Sequence, residues 1–207
     1  MLQRGVLIVI SGFAGAGKGT IVKMIREANP NLALSISMTT RNMRPGEENG
    51  REYFFVTKEE FEEAIRNDEL IEYANYVGNY YGTPRKYVEK MLSEGKDVIL
   101  EIEAQGALQI KEKFKDAMLV FITPPSAEVL KQRLVNRGTE TEDVIERRMK
   151  RSAEEACIIS EYDFLLVNDD REKCAEEMLH LIDTLHHTPA CNEVFIEQLK
   201  KDLEAMN

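Results

Sequence analysis

Gly12, Gly15, Gly17 and Lys18 fall in the run SGFAGAGKGT (residues 11–20), which fits the phosphate-loop pattern G-x-x-x-x-G-K-[ST] up to its last position. Each residue type has a chemical reason. Glycines let backbone N–H groups turn inward without a Cβ clash, and a following helix adds its positive end. The lysine reaches the β- and γ-phosphates of a nucleoside triphosphate, and the last position normally supplies a hydroxyl to the nucleotide's magnesium ion. Gly19 stands in that last place, and Thr20 carries a hydroxyl one position later. Charged candidates follow. Arg41 and Arg44 lie in TTRNMRPG, Glu101 and Glu103 alternate in VILEIEA, and Arg133, Arg137, Arg148 and Arg151 crowd the stretch 133–151. Paired guanidinium forks suit a phosphate dianion, and alternating carboxylates on a strand share one face.

Those residues need elements to hold them. VLIVIS (6–11) reads as a strand buried on both faces, and GTIVKMIREA carries Ile21, Met24, Ile25 and Ala28 at helical spacing. Strand, glycine loop and helix is the context a phosphate loop requires. VILEIEA (98–104), AMLVFIT (117–123) and DFLLVN (163–168) are three further buried-strand candidates, separated by helical stretches. That alternation predicts an α/β fold, a parallel sheet flanked by helices, with ligands at the C-terminal ends of the strands. Residues 35–88 break the pattern as a polar, mixed insert with TKEEFEEAIRND as its helix, and five of the seven tyrosines lie between positions 53 and 81.

Composition narrows the class. A chain of 207 residues that is 43% hydrophobic and 31% charged has enough apolar material for one folded domain with small inserts. A formal charge of −10 argues against broad nucleic-acid affinity. No apolar stretch reaches the ~18 residues of a membrane span, and the N-terminus lacks a signal-peptide layout, so a cytoplasmic protein is expected. Cys157, Cys174 and Cys191 are too widely spaced for a metal knuckle and read as reduced thiols, and His186-His187 reads as an exposed pair near a helix end.

Several segments together, SISMTTRNMRPGEENGREYFFV, LIEYANYVGNYYGT, VILEIEAQG, RLVNRGTETED and VNDD, resemble the guanylate kinase family over roughly residues 5–186. The resemblance implies a P-loop kinase fold that moves the γ-phosphate of ATP to GMP, and to dGMP, with magnesium accompanying ATP. It divides the chain into a P-loop core (1–34, 89–135 and 152–188), a GMP-binding subdomain (35–88), a helical lid (136–151) and a C-terminal extension (189–207). By resemblance, Gly12, Phe13, Ala14, Gly15, Ala16, Gly17, Lys18, Gly19, Thr20, Arg137 and Asn168 bind ATP. Lys18, Arg44, Arg137 and Arg148 are the catalytic cations. Arg41, Arg44, Tyr53 and Tyr81 hold the GMP phosphate, Ser37 and Thr83 meet the base, and Glu103 reaches the GMP site. Glu101 holds magnesium through water, and Glu72 reads guanine, because an ionised carboxylate accepts from both donors on that base edge. Gly19 departs from the family's usual hydroxyl and gives a loop similar to that of adenylate kinases.

The rival reading is a non-catalytic scaffold module that binds phosphopeptides. Retention of Lys18, both acceptor arginines and the lid arginines weighs against it. The tail HTPACNEVFIEQLKKDLEAMN runs past the resemblance, with Phe195, Leu199, Leu203 and Met206 on one helical face. It is expected to pack on its own domain or to form a dimer contact, which leaves monomer and homodimer open.

Overall fold

The computed structural model describes residues 4–76, 78–136 and 141–206. Strand β1 (Leu7–Gly12) is buried at every position. Its side chains serve two cores in turn. Ile8 and Ile10 pack with Ile21, Ile25 and Met178, while Leu7 and Val9 pack with Val88, Leu92 and Ile110. Helices cover both faces, so the run is apolar throughout instead of alternating.

The chain continues through α1 (Lys18–Ala28), β2 (Leu32–Leu34), β3 (Met38–Thr39), β4 (Phe54–Phe55), α2 (Lys58–Arg66), β5 (Leu70–Tyr76) and β6 (Asn79–Pro84). Next come α3 (Arg85–Ser93), β7 (Asp97–Glu101), α4 (Ala104–Lys113), β8 (Met118–Thr123), α5 (Ala127–Asn136) and α6 (Glu142–Ala156). Strand β9 (Phe164–Val167), α7 (Arg171–Leu185) and α8 (Glu193–Glu204) complete it. Five strands form a wholly parallel sheet in the order β2-β7-β1-β8-β9, the predicted α/β class. Ile10 pairs with Glu101, which sets that carboxylate beside the strand end from which the phosphate loop departs.

A second sheet, β4-β3-β6-β5, carries the mixed insert. Phe61 and Ala64 of α2 and Leu70 of β5 form its own small core. Helix α2 starts at a full capping box, in which Thr57 and Glu60 each satisfy the other's backbone N–H. The β5–β6 ladder shifts register between Leu70 and Glu72. Such a bulge re-aims the side chains beside it.

Some details depart from expectation. Strand β9 reads as fully buried but is the sheet edge, and Phe164, Leu165 and Val167 are exposed there while Leu166 alone is buried. The short β2 and helix α3 have no clear sequence signature. His186 is half-buried, not exposed, and its Nε2 lies 3.0 Å from Asp97 Oδ2. The tail forms α8, yet none of its residues is buried, and Phe195, Leu199, Leu203 and Met206 stay exposed. The tail touches its own domain through Cys191, which packs against the main core, while the apolar face of α8 stays exposed.

Candidate active site

The phosphate loop is shaped by backbone. Gly17 caps α1 at φ 92°, a left-handed conformation, and a Cβ there would lie 2.5 Å from Asn168 Nδ2. No side chain caps α1 and no acidic residue occupies its first turn, so its positive end stays open to an anion. Asn168 Nδ2 donates to Ala16 O at 2.7 Å, and Arg133 Nη2 donates to Asn168 O at 2.9 Å. Asn168 and Arg133 thus brace the loop from behind. Lys18 Nζ donates to Gly12 O (2.6 Å) and Phe13 O (3.3 Å), so the cation is folded over its own loop.

A cleft of about 740 Å³ runs from this loop to the second sheet. Phe13, Ala14, Gly15, Gly17, Lys18, Gly19 and Thr20 line one end, and Ser37, Arg41, Arg44, Tyr53, Glu72 and Tyr81 line the other. Glu101 and Glu103 stand between them, and Arg148 of α6 borders the same space. Four predicted residues support the wall instead of lining it: Gly12, Ala16, Thr83 and Asn168. Arg137 lies outside the described residues.

At the far end, Arg41 is already engaged. Its Nη2 donates to both carboxylate oxygens of Glu47 (2.9 and 3.0 Å), and its guanidinium sits 5.4 Å from the Tyr53 ring centroid. Glu47 Oε2 also accepts from Arg44 N, and the hydrogen bond from Arg41 holds this carboxyl below its usual range. Tyr53 and Tyr81 meet edge to face at 5.8 Å, and burial pushes the Tyr53 phenol up to about 12.

Glu72 is 3% exposed. Thr83, its bulge-set partner, donates Oγ1–H to Glu72 Oε1 at 2.6 Å. Burial nevertheless pushes the Glu72 carboxyl up to about 7, against opposition from Thr83 and from Lys113. A buried acceptor held on one oxygen, with the other turned elsewhere, is built to meet hydrogen-bond donors.

Burial also raises Glu101, with Lys18 opposing and Glu103 reinforcing. Glu155, at the end of α6, joins this group. Burial and then the Glu103 charge push it up to about 7, while Arg151 and Lys18 pull the other way. Arg151 Nε approaches Glu155 Oε1 at 3.3 Å, which ties this lid-block arginine to its own helix. Glu47, Glu155 and Gly106 of α4, where an added Cβ would collide with Glu72 Oε2, are the site's neighbours that sequence reasoning missed. A glycine inside a helical pattern is a signal that could have flagged Gly106.

The guanylate kinase family model matches residues 4–185. The chain belongs to the guanylate kinase family. It is 54% identical to the guanylate kinase of Lactococcus lactis over 187 residues, which is 90% of this chain and 91% of that one. The Oceanobacillus iheyensis guanylate kinase is 46% identical over 202 residues, 98% of this chain and 97% of its own, so that match runs into the tail. The crystal structure of guanylate kinase from Anaplasma phagocytophilum superimposes with a TM-score of 0.76 at 33% identity, covering 91% of this chain and 89% of that one. The protein is accordingly an enzyme, a nucleoside monophosphate kinase with a P-loop kinase fold. No described helix is long and apolar enough to cross a membrane.

Proposed function

We propose that the protein transfers the γ-phosphate of ATP to GMP, or to dGMP, with the two nucleotides held at opposite ends of the one cleft. The observation that carries this reading is the pairing, in one 740 Å³ space, of an open helix N-terminus behind Lys18 with the buried carboxylate of Glu72. The backbone of residues 12–20 receives the ATP phosphates, and Lys18 exchanges Gly12 O and Phe13 O for phosphate oxygens. Arg41, Arg44, Tyr53 and Tyr81 take the GMP phosphate, which competes with Glu47 for the Arg41 guanidinium. Glu72 accepts from guanine N1–H and N2–H₂, with Ser37 beside it and Thr83 acting through Glu72. Adenine presents a lone pair at N1, which would face that carboxylate unpaired. Glu103 lies between the two sites. Arg148, and Arg137 by family resemblance, add charge to the transferring phosphoryl group as residues 136–151 and 35–88 close on the core (1–34, 89–135 and 152–188). The extension 189–207 leaves the chemistry alone, and a homodimer through it competes with a monomer. Such catalysis is alignment and charge stabilisation in a site that sheds water.

Magnesium fits this arrangement. The Glu101 oxygens lie 3.8 and 3.9 Å from where a Cβ at position 19 would be, so an acceptor already serves the neighbourhood of the missing loop hydroxyl. Among the described residues no three or more His, Cys, Asp or Glu side chains form a metal cage. An ion carried in on ATP phosphates and waters, with Glu101 as its water-mediated contact, matches that donor set. Held there, the ion would supply charge neutralisation to the phosphate oxygens.

ATP consumption measured side by side with GMP, dGMP, AMP and UMP tests the reading. Turnover with GMP and dGMP alone is expected. Equal turnover with AMP or UMP would overturn the acceptor assignment, and no turnover with any acceptor would favour a phosphopeptide-binding module.

A further inference from the structure

Helix α4 meets strand β5 through one face, with Gly106, Gln109 and Lys113 at spacings of three and four residues. The Gln109 amide pairs with the Tyr73 backbone in both directions, accepting from its N–H at 3.3 Å and donating to its carbonyl at 2.8 Å. Lys113 Nζ donates to Ile71 O at 2.7 Å. The backbone on either side of Glu72 is thereby clamped to α4. Between the clamps, the Glu72 carboxylate lies against Gly106. A Cβ at position 106 would collide with Glu72 Oε2, and would also stand 3.0 Å from Glu72 Cδ and 3.3 Å from Ile102 Cδ1.

Gly106 is buried, sits within the helix and has no left-handed backbone, so its φ does not require glycine. Glycine is also a poor helix former compared with alanine. The local sequence therefore carries a residue that helix formation disfavours, at the point where a side chain would meet the Glu72 carboxylate.

We propose that Gly106 is a specificity-determining residue of the acceptor site. Its missing side chain is the seat that holds the Glu72 carboxylate in place for the guanine edge. The inference rests on the reading of Glu72 as the base acceptor. A methyl at 106 leaves Glu72 no retreat, because Oε1 is held by Thr83 and the residues on both sides are bonded to α4. The carboxylate must swing toward the cleft, where the base belongs.

Five variants test the seat: Gly106→Ala, Glu72→Ala, Glu72→Asp, and Gly106→Ala combined with either Glu72→Asp or Glu72→Ala. Gly106→Ala should raise KM for GMP by ~30-fold with kcat within ~3-fold, a split expected when ground-state and transition-state binding are lost equally. ATP-analogue binding should be unchanged. Preference for GMP over inosine monophosphate, which lacks the 2-amino donor, should shrink by ~10-fold, because the displaced carboxylate no longer reads that donor. Glu72→Asp alone should weaken GMP, yet it should improve GMP binding when added to Gly106→Ala, since the shorter side chain clears the new methyl. Melting temperatures add a readout free of nucleotide: Gly106→Ala should be destabilising with Glu72 present and stabilising in combination with Glu72→Ala. If Glu72→Ala leaves KM for GMP unaltered, the base-reading assignment itself fails. If Glu72→Ala weakens GMP while Gly106→Ala does not, or if Glu72→Asp fails to rescue Gly106→Ala, that assignment stands and the seat is refuted.

Discussion

At its donor end the cleft presents backbone, and at its acceptor end it presents buried side chains. Gly17 shapes the one, and α1 begins there without a capping side chain or an acidic first turn. Helix α2, in the acceptor half, has the opposite N-terminus, closed by its own capping box. One helix keeps its free N–H groups for a ligand while the other spends them on stability. On the proposed reading the acceptor half binds instead through Arg41, Tyr53 and Glu72, each held by neighbours and each sensitive to burial or to charge. Backbone dipoles do not titrate and accept any phosphate. A buried carboxylate titrates and discriminates.

The contrast is tested most severely by two substitutions, one at each end. Lys18→Ala should lower kcat by ~10³ or more, because it removes a positive charge from the transferring group in a site that excludes water. GMP binding should survive it, and a large rise in KM for GMP would break the separation of the two ends. Glu72→Gln should reduce kcat/KM for GMP by at least ~10², as an amide N–H₂ turns toward guanine's own donors. ATP-analogue binding should stay the same.

Glu72→Gln also has a stability side. The folded carboxyl, at about 7, lies above its ordinary 4.5, so its contribution is full below the lower value and is lost as pH rises through the upper one. The variant should therefore raise the melting temperature of the empty protein near pH ~8 and leave it almost unchanged near pH ~4. A lower melting temperature at the higher pH would show that the ionised carboxylate is better satisfied than its burial implies.

The two halves were not equally legible in the sequence. A loop built on backbone geometry needs glycines at fixed offsets, so SGFAGAGKGT could be read directly, together with the strand before it and the helix after it. Arg41 and Arg44 stood out as a pair of guanidinium forks, but which ligand they and Glu72 would meet became readable only when several segments were compared with a family at once. The burial of Glu72 was not readable at all. It arises from a bulge at Leu70/Glu72 and from Gly106, which belongs to a different helix. Edge position likewise cannot be seen in DFLLVN, because which strand lies outermost is decided by all five together. The helical period in the tail was legible, but the exposure of its apolar face was not.

A pH series sharpens the comparison with a smaller effect. Only ionised Glu72 can accept both guanine donors, so the empty site must lose a proton before GMP binds well. With the carboxyl at about 7, GMP affinity relative to Glu72→Gln should fall about tenfold per pH unit below that value and level off above it. Taking the ratio divides out the phosphate's own titration near ~6. ATP-analogue affinity, resting on backbone, should give the same pH profile in both proteins. A flat ratio for GMP would mean that Glu72 is ionised throughout.

The smallest effect is expected at Gly19. A serine there would place its Cβ 3.8 Å from Glu101 Oε1, in ordinary contact and without backbone strain. From that position its hydroxyl can donate to the Glu101 carboxylate, the group proposed to meet the ion through water. Turnover of Gly19→Ser at saturating magnesium should therefore stay within about tenfold, or ~1.4 kcal/mol of barrier. The magnesium titration separates two outcomes. A hydroxyl that binds the ion directly lowers the concentration needed for half-maximal rate, whereas one that bonds to Glu101 leaves it unchanged or raises it by drawing on that carboxylate. Glu101→Gln gives the reference, because it weakens the acceptor without altering the loop. If Gly19→Ser raised turnover a hundredfold or more, the glycine loop would be an impaired donor site, and its reliance on backbone, ATP oxygens and Glu101 would not be enough.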